Sequence, residues 1–183
     1  MKCLVVYSSV TGNTRSVAEA IHQIMPPGTV LSPVQNAPEP GEFDFLALGF
    51  WVHRAMPDPR MFRYMERVRG KNVAWFGTLA AWPDSPHAKQ VRDNAQSLLR
   101  ANQIQGGFLC QGRLEAKRFA AAMKPGHGNP THPMTDERRA RLVEANKHPD
   151  ETDFAAARQA FTAFLGQCEN SSPHLVLLKM EQL

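Results

Sequence analysis

The chain opens on a near-continuous apolar run, CLVVY at residues 3–7. A strand covered on both faces of a parallel sheet has this pattern, because neither side of its pleat meets water. A glycine-bearing polar loop follows, and from Thr14 onward Val17, Ala18, Ile21, Ile24 and Met25 recur at helical spacing until Pro26-Pro27-Gly28 stops them. Residues 29–34 are expected as a short, weak strand and 36–42 as a proline-rich connector. The next strong run, FDFLALGF at 43–50, breaks at Gly49 into the loop WVHRAMPDP. A helix fits 59–68. The buried strand NVAWFG fits 72–77, entered from the turn Arg69-Gly70-Lys71. After the loop TLAAWPDSP, the residues Val91, Ala95, Leu98 and Leu99 mark a helix that ends near Asn102, and 104–110 supplies a last strand.

Strands alternating with helices imply right-handed crossovers, hence a parallel sheet with helices on both faces. The expected class is α/β, a doubly wound sheet of five parallel strands. Residues 111–149 break the rhythm. They are rich in glycine, proline and basic residues around KPGHGNPTHP, with short helical pieces at 114–123 and 135–146. The final helix, 151–165, places Phe154, Ala157, Phe161 and Leu165 on one face. The chain thus divides into a domain at 1–166, enlarged by the insertion at 111–149, and a tail at 167–183. The tail's HLVLLKM is compatible with packing on the domain, exchange between subunits or docking of a partner.

Composition narrows the class. A chain of 183 residues with 43% hydrophobic content can bury one substantial core. The N-terminal apolar run has no small-residue cleavage pattern behind it, and no segment approaches the roughly 18 to 20 apolar residues of a membrane span. A soluble, cytoplasmic protein is expected, with no membrane partner. Cys3, Cys110 and Cys168 have no CxxC or other ligand-like spacing, so neither a disulfide framework nor a metal centre is indicated; Cys3 and Cys110 are expected in the core. His127 and His132 lack a third ligand nearby, and no metal is expected there. The net charge of +4 tolerates an anionic cofactor or an acidic partner. Nucleic acid is not expected as a partner, since the basic residues are not interleaved with aromatic ones. The basic run Arg138-Arg139-Ala140-Arg141 reads as a solvated helix face, or alternatively as a docking patch for an acidic redox partner.

In an open parallel sheet the ligand site lies outside the carboxyl ends of the strands. Three loops leave such ends. The first, Ser8-Ser9-Val10-Thr11-Gly12-Asn13-Thr14, offers hydroxyls, an amide and a run of backbone N–H groups before a helix N-terminus, whose partial positive charge suits a phosphate. It has neither the GK[ST] of a Walker A loop nor the GxGxxG of a dinucleotide site. The second, Phe50-Trp51-Val52-His53-Arg54, and the third, Thr78-Leu79-Ala80-Ala81-Trp82, carry the aromatic and apolar groups that a flat ring system needs as walls. Trp75, inside a strand, is expected in the core.

YSSVTGNT followed by an amphipathic helix resembles the phosphate-binding loop of the flavodoxin family, approximately [ST]-x-T-G-x-T, matched by Ser9, Thr11, Gly12 and Thr14. The resemblance spans roughly residues 2–165. It implies a flavin mononucleotide (FMN) as cofactor, bound by Ser8 to Thr14, with Phe50, Trp51 and Val52 on one side of the ring, Thr78, Leu79, Ala80, Ala81 and Trp82 on the other, and His53 as a further cofactor-binding residue. It also implies electron transfer with a partner protein, without a catalytic residue in the chain. Three features depart from electron-carrier flavodoxins: the basic charge, the enlarged 111–149 region, and a loop after the strand at 72–77 that lacks their stacking tyrosine. GFWVHRAMPDP and FGTLAAWPDSPHA instead resemble an atypical flavodoxin-like subfamily. Two alternatives stay open. One is an FMN-dependent reductase, using NAD(P)H or reducing a quinone-like or tetrapyrrole-like substrate in a cavity walled by 111–149. The other is a non-redox module binding another phosphate ligand or only protein. At the rim of the ring site, Arg54 is placed to stabilise a reduced anionic flavin and His53 to shuttle a proton.

Overall fold

The structure, a computed structural model, describes residues 1–124, 128–129 and 132–170. His127 and the HLVLLKM segment of the tail lie outside the described residues. Strands β1 (Cys3–Tyr7), β2 (Val30–Pro33), β3 (Phe45–His53), β5 (Asn72–Leu79) and β6 (Gln103–Gln111) form one sheet in the order β2-β1-β3-β5-β6, with every neighbouring pair parallel. This is the flavodoxin-like doubly wound order. A two-residue strand β4 (Met56–Pro57) is added antiparallel to the end of β3.

The strands alternate between two cores, because successive side chains point to opposite faces. On one face Leu4, Val6, Leu46, Leu48 and Trp75 pack with Met61 and Met65 of α2 (Pro59–Met65) and with Val91 and Ala95 of α3 (Pro86–Leu98). On the other, Cys3, Val5, Phe45, Ala47 and Phe76 pack with Val17 and Ile21 of α1 (Asn13–His22) and with Ala157 and Phe161 of α6 (Glu151–Asn170). Cys3, Cys110 and Trp75 are buried, as their places in the runs require. Each fully buried aliphatic or aromatic side chain contributes about 1.5–3 kcal/mol.

Two departures from the expected elements have clear causes. The loop WVHRAMPDP is not a plain loop: β3 runs on through His53 and turns back at Arg54 and Ala55, whose φ angles are +51 and +62. Two positive φ values are what a two-residue hairpin needs, but the usual marker is Asn-Gly, so Arg-Ala gave no sign of the turn. The Asn94 side-chain amide holds the turn by donating to Ala55 O at 2.9 Å. In addition, α6 continues past 165 to Asn170 and buries its own Cys168.

The insertion holds α4 (Ala116–Met123), the paired two-residue strands β7 (Gly128–Asn129) and β8 (His132–Pro133), and α5 (Asp136–Ala145). The basic run is not simply a solvated face. Arg139 donates to Met123 O at 3.1 Å and ties α5 to α4. Arg141 is half-buried, its Nε has no hydrogen-bond partner among the described residues, and burial lowers its pKa with help from the charge of Arg138. No helix among the described residues is long and apolar enough to cross a membrane.

Candidate functional site

From β1 the chain passes through α1 to β2 on one side; from β3 it passes through α2 to β5 on the other. The loops after β1 and β3 therefore diverge and leave a crevice at their carboxyl ends. The first loop is held at its base by Ser8. Its amide donates to Gly49 O at 2.8 Å, and its buried hydroxyl donates to Asp58 Oδ1 at 2.8 Å. Gly12, at φ +91, supplies the left-handed turn into α1 that a side chain would strain, and its amide donates to Ser9 Oγ at 3.2 Å.

Among the described residues no side chain caps the N-terminus of α1. The helices α2, α3 and α5 are capped by Asp58, Ser85 and Thr135 respectively, each accepting from the first-turn amides. The first-turn amides of α1 thus stand at the positive end of the helix dipole without a side-chain acceptor. The remaining loop side chains do other work. Thr14 Oγ1 lies 2.9 Å from Thr78 Oγ1, and Asn13 Nδ2 donates to Arg113 O at 2.8 Å, so both tie the first loop to its neighbours.

A cavity of about 480 Å3 opens between these loops, within the usual range of about 300–1,000 Å3 for small-molecule sites. The first loop lines it with Val10, Thr11, Asn13 and Thr14, the second with Trp51 and Val52, and the third with Thr78, Leu79 and Ala80. A fourth segment, Gly112 to Glu115 with Arg118, closes it from the insertion.

The structure does not bring every expected residue to this cavity. Phe50 is fully buried and stacks on Trp75, with centroids 5.7 Å apart, so it belongs to the core instead of the ring wall. The register explains this: Phe50 falls on the same side of β3 as Leu46 and Leu48, facing α2 and α3. Ser8 is engaged below the loop, while Ser9 and Gly12 line a separate hollow beside Tyr7 and Arg15. His53 sits edge-on to Trp51, with centroids 5.5 Å apart, and faces a different cavity with Arg54, Phe62 and Arg63. The hairpin turn carries both residues away from the ring walls. Ala81 packs against the core, and Trp82, 43% exposed, stands outside the cavity.

One buried residue beneath the site escaped the sequence reading, and the wall that the reductase alternative expected from 111–149 had no residues assigned to it. Asp58, only 1% exposed, joins Ser8 to the N-terminus of α2; burial pushes its carboxyl pKa up, against the Ser8 hydroxyl and the Arg60 and Met61 amides, and its Oδ2 has no partner among the described residues. Asp before Pro59 at a helix start was the available signal. The segment after β6 carried none beyond Gly112, whose place is set by packing: a Cβ there would meet Asn13 Nδ2 at 2.8 Å. Elsewhere, His148, Asp150 and Asp153 lie close enough to suggest a cation site. Their contacts are those of a helix start: Asp150 accepts from the Thr152 and Asp153 amides, and Asp153 accepts from the Asp150 amide and bonds His148.

Comparison with known proteins agrees with this fold. The chain is 27% identical over 162 residues to the flavodoxin-like domain-containing protein BilS of Clostridioides difficile (strain CD3), covering 86% of this chain and 92% of that protein. BilS of Clostridium symbiosum (strain WAL-14163) is 28% identical over 180 residues, covering 85% and 92%. Among solved structures, oxidised Flavodoxin 2 from Bacillus cereus superposes with a TM-score of 0.52 at 18% identity, covering 91% of this chain and 99% of that one, a likeness of fold. The flavodoxin domain family matches residues 4–162, and the chain belongs to that family.

Proposed function

We propose that this chain is an FMN-binding redox protein that passes electrons to or from a partner protein. The observation that carries the reading is the uncapped N-terminus of α1 opening on a cavity with apolar side walls. The donor set fits the cofactor. First-turn amides and the hydroxyl of Thr11, which lines the cavity, suit a phosphate monoester dianion. Trp51 and Val52, with Leu79 and Ala80 from the neighbouring strand, give the cavity apolar and aromatic lining that suits a flat ring. Bound FMN supplies one- or two-electron chemistry, and the protein supplies binding, orientation and the exclusion of water. No side chain of the chain need act as an acid, base or nucleophile.

The partner is proposed to be acidic, matching the net charge of +4. The protein is placed in the cytoplasm, where Cys3, Cys110 and Cys168, all buried thiols, remain reduced. The purified protein should be yellow, or become so when FMN is added. A colourless protein that leaves the fluorescence of added FMN unquenched would overturn the reading.

One observation supports a second reading, an FMN-dependent reductase. The insertion segment Gly112 to Arg118 walls the cavity, where a carrier needs only an exposed ring edge. Turnover with NAD(P)H as sole donor favours the reductase, and its absence favours the carrier.

A further inference from the structure

The first loop carries no cation into the cavity. Its nearest arginine, Arg15, lies on the other side, lining the separate hollow and paired with Glu19 at 2.7 Å. A phosphate held only by amides and a hydroxyl meets the partial charge of the helix N-terminus but no full countercharge. The insertion offers a remedy. Gly112 donates its amide to Leu79 O at 2.9 Å, Arg113 donates its amide to His148 O at 2.8 Å, and Arg113 O accepts from Asn13 Nδ2 at 2.8 Å. The backbone of Gly112 and Arg113 is therefore fixed at three points, two of them on Arg113 itself and the last reaching the first residue of α1, where the uncapped amides begin.

Its side chain contrasts with this. Arg113 is exposed and lines the cavity, and its guanidinium has no hydrogen-bond or ion-pair partner among the described residues. Arg118, also lining the cavity, lies 3.7 Å from the carboxylate of Glu115. A rigid backbone carrying an unpaired planar fork beside an open helix N-terminus is suited to binding a phosphate ester.

Resting on the FMN reading, we propose that Arg113 is a phosphate-binding residue, supplying from the insertion the positive charge that the first loop lacks. Its ligand is the terminal phosphate monoester of the mononucleotide, and it makes the site selective for FMN over riboflavin, which has the same ring without the phosphate.

The test measures FMN and riboflavin affinity by quenching of flavin fluorescence, at low and high salt, for the wild type, Arg113→Ala and Arg113→Lys. A charge-assisted bond at an exposed site corresponds to a loss of about tenfold. Arg113→Ala should weaken FMN binding by that factor, leave riboflavin binding unchanged and reduce the salt dependence of the FMN affinity. Arg113→Lys should recover part of the loss. An unchanged ratio of FMN to riboflavin affinity in Arg113→Ala overturns the assignment of Arg113 alone, whether both affinities hold or both fall. A wild type that quenches neither flavin overturns the FMN reading and this assignment with it.

Discussion

The hydroxyls of Thr14 and Thr78 lie 2.9 Å apart, both side chains buried, and join the first turn of α1 to the end of β5. This bond fixes two of the cavity's walls relative to one another. Thr14→Val or Thr78→Val alone leaves a buried hydroxyl unpaired and should destabilise the fold by about 1–3 kcal/mol. The double variant should lose clearly less than the sum of the two. Urea denaturation of the three variants checks this, and additive losses would show that the pair is not coupled.

Trp51 lines the cavity whereas Trp82, also in a glycine-flanked aromatic loop, stands outside it. Trp51→Ala should reduce flavin affinity about tenfold or more through lost ring contact, and Trp82→Ala should change it by less than about twofold. Titration with FMN discriminates between them. Equal losses would mean that the third loop closes over the ring.

Gly112 sits where a Cβ would come within 2.8 Å of Asn13 Nδ2 and 3.2 Å of Thr78 Cβ. Gly112→Ala should displace Asn13 from Arg113 O, costing about 1–3 kcal/mol in stability. FMN affinity should fall with it, since Asn13 and Thr78 both border the cavity. Thermal melts with and without FMN report both effects.

Asp58 predicts a pH dependence of stability. Its folded-state pKa is raised, chiefly by burial, above the ordinary carboxylate value. The protonated form is thus favoured by folding: its contribution is fully present below the unfolded pKa and is lost as pH rises through the folded one. Asp58→Asn keeps an acceptor for Ser8, Arg60 and Met61 but does not titrate. The stability of the wild type relative to Asp58→Asn should fall as pH rises from about 4 toward neutrality. A flat difference would mean that folding does not raise the Asp58 pKa.

His148 predicts a second dependence at higher pH. Its Nδ1 lies 2.5 Å from Asp153 Oδ2 and its Nε2 3.5 Å from Glu144 Oε1. Burial opposes the charged ring, but Asp153, Asp150 and Glu144 outweigh it, and the pKa is raised. The stability this pair adds is complete below the unfolded pKa of about 6.5 and disappears as pH climbs through the folded value. Melts of the wild type and His148→Gln at pH 6 and pH 9 should show the advantage of histidine at the lower pH only.

Much of the architecture was legible in the chain itself. Uninterrupted runs such as CLVVY and FLAL identify strands covered on both faces, and the helical recurrence of Val17, Ala18 and Ile21 identifies α1, because burial imposes these periods on any sequence that satisfies them. Gly12 with its flanking hydroxyls, directly after β1, was enough to locate the loop over which the cavity forms.

What the chain could not disclose depends on contacts far apart in sequence. Which polar side chains of the first loop are engaged was settled by Thr78, Asp58 and the backbone at Arg113, each positioned by another strand or by the insertion. The direction of Phe50 followed from strand register, and the removal of His53 and Arg54 from the cavity followed from a turn with no glycine to announce it. The fourth wall from the insertion exists because β6 delivers Gly112 against Asn13, a separation along the chain that no local period encodes. Local pattern reflects what each segment must bury; the ends of strands, where the site lies, are specified by which neighbours the sheet brings beside them.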